Sequence, residues 1–252
     1  MTKQAWLTRK QHEHGVVELE LGRAPVNALS PQFLMDFADE MVALGNDDGV
    51  RAIVLSSPFK VFSAGLDLKE AQSFDRAQQN DIVKGLNFGF LAQYACPKPV
   101  VAAVGGAAIA GGLFYVLASD FRVAGPRASF GLAEVRVGAD FPVGPFEIAR
   151  ATLDSNTQRR LMLTGQPIGA QDAQRAGVVD VVTDETGDVM SCALGHAQTL
   201  GQLPPKTYAS IKRQLRGATI ACIEAAMAAG GNDPEDGWFT DETVSAMQRM
   251  IG

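Results

Sequence analysis

Residues 99–118 read PVVAAVGGAAIAGGLFYVLA. The stretch is uncharged and has the length of a membrane span. Its composition argues against that reading. Gly105, Gly106, Gly111 and Gly112 interrupt it, and much of the remainder is alanine, so insertion into lipid would gain little. The order of residues instead predicts a buried strand over 100–104, a glycine loop, and a short helix over 111–118. A strand running through glycine into a helix is a building block of α/β proteins.

The segments on either side follow the same pattern. Upstream, VVELEL at 16–21 alternates apolar and acidic residues, as a half-exposed strand does. Residues 22–29 form a turn-rich loop. Ser30–Pro31 supplies an N-cap and a first-turn proline, and Phe33, Leu34, Phe37, Met41 and Leu44 follow at helical spacing until Gly45–Asn46. Residues 51–56 predict a buried strand, 62–68 a strand end running into a turn, and 75–94 a helix. Downstream, short strands are expected at 120–124, 128–130 and 178–182. Helices are expected at 155–163, with Ser155 as N-cap and Gly165 beyond its end, and at 170–176. From Glu185 onward the pattern is mostly helical, with a last helix near 240–250. The division is therefore an α/β core over 1–184 and a helical C-terminal region of the same domain over 185–252.

Composition narrows the class. The chain has 252 residues, 46% of them hydrophobic, and a formal net charge of -6. That length buries a large core without disulfides or metals. An acidic balance argues against nucleic acid as the main partner, since phosphate neutralisation needs surplus Lys and Arg. Cys96, Cys192 and Cys222 are odd in number and far apart, which predicts reduced thiols. The opening MTKQAWLTRKQHEH has no apolar run. A cytoplasmic protein without a membrane segment is the expectation. His12, His14 and His196 have no zinc-site spacing, so no metal is expected.

Three places combine unusual backbone with polar chemistry. In Ser63–Leu68 (SAGLDL) a glycine between strand and turn lets the backbone approach a ligand. In Gly105–Gly112 (GGAAIAGG) a glycine loop opens a helix whose first N–H groups lack internal acceptors, an arrangement suited to a negative oxygen. The loop lacks G-x-G-x-x-G, and no P-loop lysine follows. In Phe130–Val135 (FGLAEV) Glu134 stands in apolar company, where burial raises a carboxylate pKa toward that of a general base. The plainer readings are glycine-lined packing contacts and a surface Glu on a strand end.

Taken in order, these segments resemble the crotonase (enoyl-CoA hydratase/isomerase) superfamily over nearly the whole chain. APVNALS, VFSAGLDLKE, PVVAAVGGAAIAGG followed by LASDFRVA, and LMLTGQPIGAQDAQRAGVVDVV each resemble a family motif. The resemblance implies a spiral of ββα units with a helical C-terminal trimerisation region. It implies an acyl-CoA thioester as substrate, with coenzyme A entering only as part of it, no separate cofactor, and a homotrimer or dimer of trimers.

By position, the N–H groups of Leu66 and Gly111 would form the oxyanion hole, and Glu134 would be the catalytic carboxylate. Ala64, Gly65, Asp67, Leu68, Phe114 and Asp140 would contact substrate. Phe114 occupies the place where hydratases carry a further glutamate. Together with FSAGLDL, GLAEVRVG and Pro142, that substitution resembles the monofunctional Δ3,Δ2-enoyl-CoA isomerases, in which one glutamate moves the proton. Asp140 keeps a second possibility open, because a related dehalogenase has its nucleophile nearby; a loop-capping role is the plainer reading. Asp67 reads as a turn-shaping residue. A hydratase, another acyl-CoA lyase or hydrolase, or a silent acyl-CoA-binding protein are the alternatives. Arg23, Lys60 and Lys69 lie near the motifs that would meet CoA phosphates. Ile109, Phe114, Phe141 and Phe146 suit an apolar acyl tail, and core packing accounts for them equally well.

Overall fold

The backbone alternates between two sheets. The computed structural model describes residues 6–234 and 237–251. It begins with β1 (Leu7–Gln11), β2 (Val16–Leu21) and α1 (Pro31–Asn46). Next come β3 (Ala52–Ser56), β4 (Val61–Ser63), α2 (Leu68–Ala71) and α3 (Arg76–Ala95). β5 (Val100–Val104), β6 (Ala107–Ile109) and α4 (Gly111–Leu117) follow, then β7 (Phe121–Ala124), β8 (Ser129–Gly131), α5 (Val143–Thr152) and α6 (Ser155–Thr164). β9 (Ile168–Gly169), α7 (Ala170–Arg175) and β10 (Val181–Val182) precede the terminal helices α8 (Val189–Gly201), α9 (Pro205–Ala226) and α10 (Asp241–Ile251).

One sheet has the order β1-β2-β3-β5-β7-β10 and the other β4-β6-β8-β9. Each of the pairs β3–β4, β5–β6 and β7–β8 therefore places one strand in each sheet. Neighbours in the first sheet are parallel except β1 with β2, and in the second except β8 with β9. The result is a spiral of ββα turns, as the family resemblance implied. Gly106 forms the corner between β5 and β6. A Cβ there would stand 1.8 Å from the Lys60 carbonyl oxygen, inside any van der Waals contact, so only glycine fits.

Alternate residues of the central strands enter different cores. Ile53, Leu55, Val100, Ala102 and Val104 join the main core with Phe33, Phe37, Phe90 and Tyr115. Ala52, Val54, Val101 and Ala103 face the other way and pack with Ala193 and Ala197 of α8. Burial on both faces explains why β3 and β5 read as continuous apolar runs. α1 begins at Pro31 with the Ser30 side chain accepting from the Phe33 N–H, and α3 begins with a capping box at Asp75 and Gln78.

Several expectations need correction. Residues 7–11 form β1, an edge strand whose sequence LTRKQ has no apolar alternation. β1 and its turn change the reading of VVELEL as half-exposed: Glu18 is buried, held by Ser56 Oγ at 2.6 Å and His12 Nε2 at 3.0 Å. The cap of α6 is Asp154, whose carboxylate accepts from the N–H groups of Asn156 and Thr157, so Ser155 is the first helical residue. The strand expected over 178–182 pairs only at Val181–Val182, and the carbonyls of Gly177 and Val178 accept instead from the Arg122 side chain. α5 had no counterpart in the periodicity reading.

α9 is fastened to the core by charge. Asp120 accepts from Lys212 Nζ at 2.6 Å and pairs with Arg216 Nη2 at 2.9 Å, all three side chains being almost fully buried. Arg216 also lies over the Tyr94 ring at 4.2 Å. Among the described residues, no helix is long and apolar enough to cross a membrane.

Candidate active site

The SAGLDL segment is shaped by Gly65. Its φ of +79° is a left-handed value that side chains disfavour. A Cβ there would also lie 2.8 Å from the Ile109 carbonyl oxygen and 3.2 Å from the Gly111 nitrogen. The two glycine segments are thus pressed together backbone to backbone. Gly65 O accepts from Leu29 N at 2.7 Å, and Asp67 N donates to Leu29 O at 3.0 Å. These bonds clamp the backbone on both sides of Leu66. Among the described residues, no backbone carbonyl accepts from the N–H of Leu66 or of Gly111.

Ala110 sets the direction of the Gly111 N–H. It has φ +50° and ψ −131°, a strained conformation for a residue with a Cβ. Its own N–H donates to Gly131 O at 2.8 Å, so β8 holds the strained residue in place. Asp67 caps α2 by accepting from Glu70 N and pairs with Arg23 at 3.0 Å. This is the turn-shaping role read from sequence. Arg23 is further occupied by Glu70 at 2.8 Å, the Ala28 carbonyl and the Trp6 ring. Lys60 and Lys69 are exposed.

Glu134 begins a single 3₁₀ turn after β8, and its carbonyl accepts from the N–H groups of Val137 and Ala139. The residue is 8% exposed, and its Oε2 has no hydrogen-bond partner among the described residues. Burial pushes its pKa up to about 8, against a slight opposing hydrogen bond from its own backbone.

Leu66, Leu68, Gly111, Phe114 and Glu134 line one cavity of about 50 Å³. Five positions from distant segments, proposed from sequence, thus converge. Ala64, Gly65, Asp67 and Asp140 do not line it. Asp140 is exposed on the far side of its loop, where its backbone oxygen accepts from Trp238 Nε1 at 3.1 Å. Pro142, marked by the family resemblance, lines it too, and the cavity also has walls that pattern reading missed: Leu29, Leu86, Pro145 and Trp238. A Pro in the first turn of α5 was the available signal for Pro145. Trp238, one of two tryptophans, had no periodic context. Leu66 and Gly111, whose N–H groups have no backbone acceptor among the described residues, line an apolar space with one carboxylate of raised pKa, which suits proton transfer beside a carbonyl.

The fold and this arrangement define an enzyme scaffold of the crotonase superfamily. Residues 11–231 match the family model described as enoyl-CoA hydratase/isomerase, and the chain belongs to that family. The crystal structure of human mitochondrial delta3-delta2-enoyl-CoA isomerase is similar at a TM-score of 0.89 and 26% identity, covering 98% of this chain and 96% of that one. A Mycobacterium tuberculosis protein named (7aS)-7a-methyl-1,5-dioxo-2,3,5,6,7,7a-hexahydro-1H-indene-carboxyl-CoA hydrolase is 34% identical over 177 residues, 70% of each chain. Carnitinyl-CoA dehydratase of Shigella flexneri is 30% identical over 227 residues, 90% of this chain and 85% of that one.

Proposed function

We propose that the protein is a Δ3,Δ2-enoyl-CoA isomerase. The observation that carries this reading is a cavity lined by one carboxylate, Glu134, with the apolar Phe114 among its other walls. Glu134 takes a proton from C2 of a 3-enoyl thioester, and the electron pair moves onto the thioester oxygen as a dienolate. The N–H groups of Leu66 and Gly111 stabilise that oxygen as its charge grows. The same proton returns to C4, leaving the double bond between C2 and C3. No water is consumed, which suits a site with a mostly apolar lining. Likeness to the human isomerase over nearly the full chain supports the reading. Coenzyme A is the substrate's carrier, and no other cofactor takes part.

Similarity to a dehydratase and a CoA hydrolase favours a second reading, another acyl-CoA reaction on the same scaffold. The deciding assay is a matched panel of 3-enoyl-CoA and 2-enoyl-CoA thioesters, followed for isomerisation, hydration and thiol release. Isomerisation without hydration is expected. Rapid hydration of a 2-enoyl-CoA, or full isomerisation by Glu134→Gln, would sink the proposal.

The assembly belongs to the same proposal: a homotrimer or a dimer of trimers. Ile211 and Leu215 support it, since they stand 58% and 80% exposed one turn apart on α9. Sedimentation equilibrium should give three or six chain masses, and a monomer at micromolar concentration would contradict it.

A further inference from the structure

One wall of the catalytic cavity depends on a single amide outside it. Trp238 lines the cavity with Leu66 and Leu68 of the glycine-shaped turn, and with Glu134, Ala139 and Phe141 of the stretch after β8. Its indole Nε1 donates to Asp140 O at 3.1 Å. That carbonyl belongs to the loop whose Ala139 N–H donates to Glu134 O at 3.1 Å. The indole is thus joined to the backbone that carries the Glu134 carboxylate.

Residues 237–240 form no helix or strand, so no ladder holds Trp238. Among the described residues, no backbone carbonyl accepts from the N–H of Trp238 or Phe239. Both donate to Gln79 Oε1 near the start of α3, each at 3.0 Å. Gln79 Nε2 donates to Phe74 O at 3.3 Å, which fixes the amide's orientation. Turned over, its NH2 would meet two N–H groups and its oxygen a carbonyl. Gly237 leaves room for this bond: its φ is +82°, and a Cβ there would lie 2.8 Å from Gln79 Oε1. The Phe239 ring stacks on Phe74 at 6.5 Å. At the other end of the strap, Asn87 Nδ2 donates to Asn232 Oδ1 at 2.8 Å, so α3 holds it at two points.

We infer that Gln79 is a positioning residue of the active site: by holding the Trp238 backbone it sets the indole on Asp140 O and so fixes the loop that places Glu134 in the cavity. The inference rests on the reading of Glu134 as the proton carrier. Gln79 does not line the cavity and acts through Trp238. Without its oxygen, two backbone N–H groups lose their acceptor and gain more from water than from the strap's present place. A base displaced by about 1 Å loses much of its rate advantage even where substrate still binds.

The test compares Gln79→Leu, Gln79→Glu and Gly237→Ala in isomerisation of a 3-enoyl-CoA. Leucine keeps the bulk and removes the acceptor. Glutamate keeps an acceptor and gives up only the bond to Phe74. Gly237→Ala presses on the same bond with the amide intact, and serves where Gln79→Leu does not fold, as judged by circular dichroism melts. Gln79→Leu and Gly237→Ala should lower kcat about tenfold or more with KM within about threefold, the pattern of a lost transition-state contact. Gln79→Glu should recover most of kcat, and the double variant should lose no more than the worse single one. The chain has two tryptophans, so a Trp6→Phe background leaves Trp238 as the fluorophore. Acrylamide quenching of it should rise in Gln79→Leu and return in Gln79→Glu. A lowered melt with kcat and quenching unchanged overturns the inference, because Gln79 is then only structural. Equal impairment in Gln79→Leu and Gln79→Glu overturns it too, since the acceptor is then not what matters. A wild-type protein that does not isomerise removes the reading of Glu134 and this inference with it, whereas an active wild type with an equally active Gln79→Leu removes the inference alone.

Discussion

A methyl group on Gly65 would reach within 3.2 Å of the Gly111 nitrogen, although the two residues lie on different segments of the chain. Their contact positions both candidate oxyanion donors. It also explains why the strained Ala110 is tolerated, since the neighbouring backbone leaves it no room to relax.

Gly65→Ala should therefore separate the two donors. The substitution is strained at φ +79° and collides with the Ile109 carbonyl. A cost above about 1 kcal/mol in stability is expected. Turnover of a 3-enoyl-CoA should fall about 100-fold, because a displaced donor no longer meets the growing negative charge. Steady-state kinetics on the folded variant, with folding checked by a thermal melt, reads both effects.

Glu134 should make the protein less stable as pH rises. Its folded pKa of about 8 lies above the ordinary 4.5. Between those values the folded chain holds a proton that the unfolded chain has lost, so stability declines with pH across that window and levels off above it. The slope approaches about 1.4 kcal/mol per pH unit where this group dominates. Urea unfolding at pH 5.5 and 7.5 measures it. Glu134→Gln should remove that contribution and lower turnover by about 100-fold or more.

A base must be ionised to accept a proton. In the free enzyme, kcat/KM for isomerisation should rise with pH and bend near pH 8, following the deprotonation of Glu134. A flat profile from pH 6 to 9 would show that another group abstracts the proton.

Asp120 balances Lys212 and Arg216 in a nearly dry environment. Asp120→Asn removes the negative charge and leaves both cations buried. A loss of about 3–5 kcal/mol is expected, as when one partner of a buried pair is deleted. Chemical denaturation gives the figure, and a loss under 1 kcal/mol would mean that the pair carries little.

Much of this architecture is local in origin and so was legible along the chain. The strand and helix of residues 99–118 appear as β5 and α4, while the expected glycine loop holds the short strand β6, which forms only because β4 and β8 pair with it. The caps at Ser30 and Asp75 bond their own first turns. Elements stabilised by distant neighbours were not legible. β1 has its polar side chains exposed and exists because β2 offers it a free edge. Trp238 reaches the cavity from the far end of the sequence, with Gln79 Oε1 accepting from its backbone N–H at 3.0 Å.

Two glutamates divide what sequence alone determined from what the fold decided. Both Glu18 and Glu134 stand between apolar residues, and both become buried. The order of motifs was enough to place Glu134 beside a pair of glycine segments, and to mark Phe114 as the apolar residue in a helix opening on that site. It did not distinguish the charge states of the two carboxylates. Burial would raise the pKa of Glu18, but the Ser56 hydroxyl, His12 and Lys10 outweigh it and bring the value below normal. Glu134 has no such partners, and its pKa rises. The difference comes from groups that meet only after folding, because a carboxylate's proton affinity depends on what replaces its water, and those replacements lie far apart in the chain.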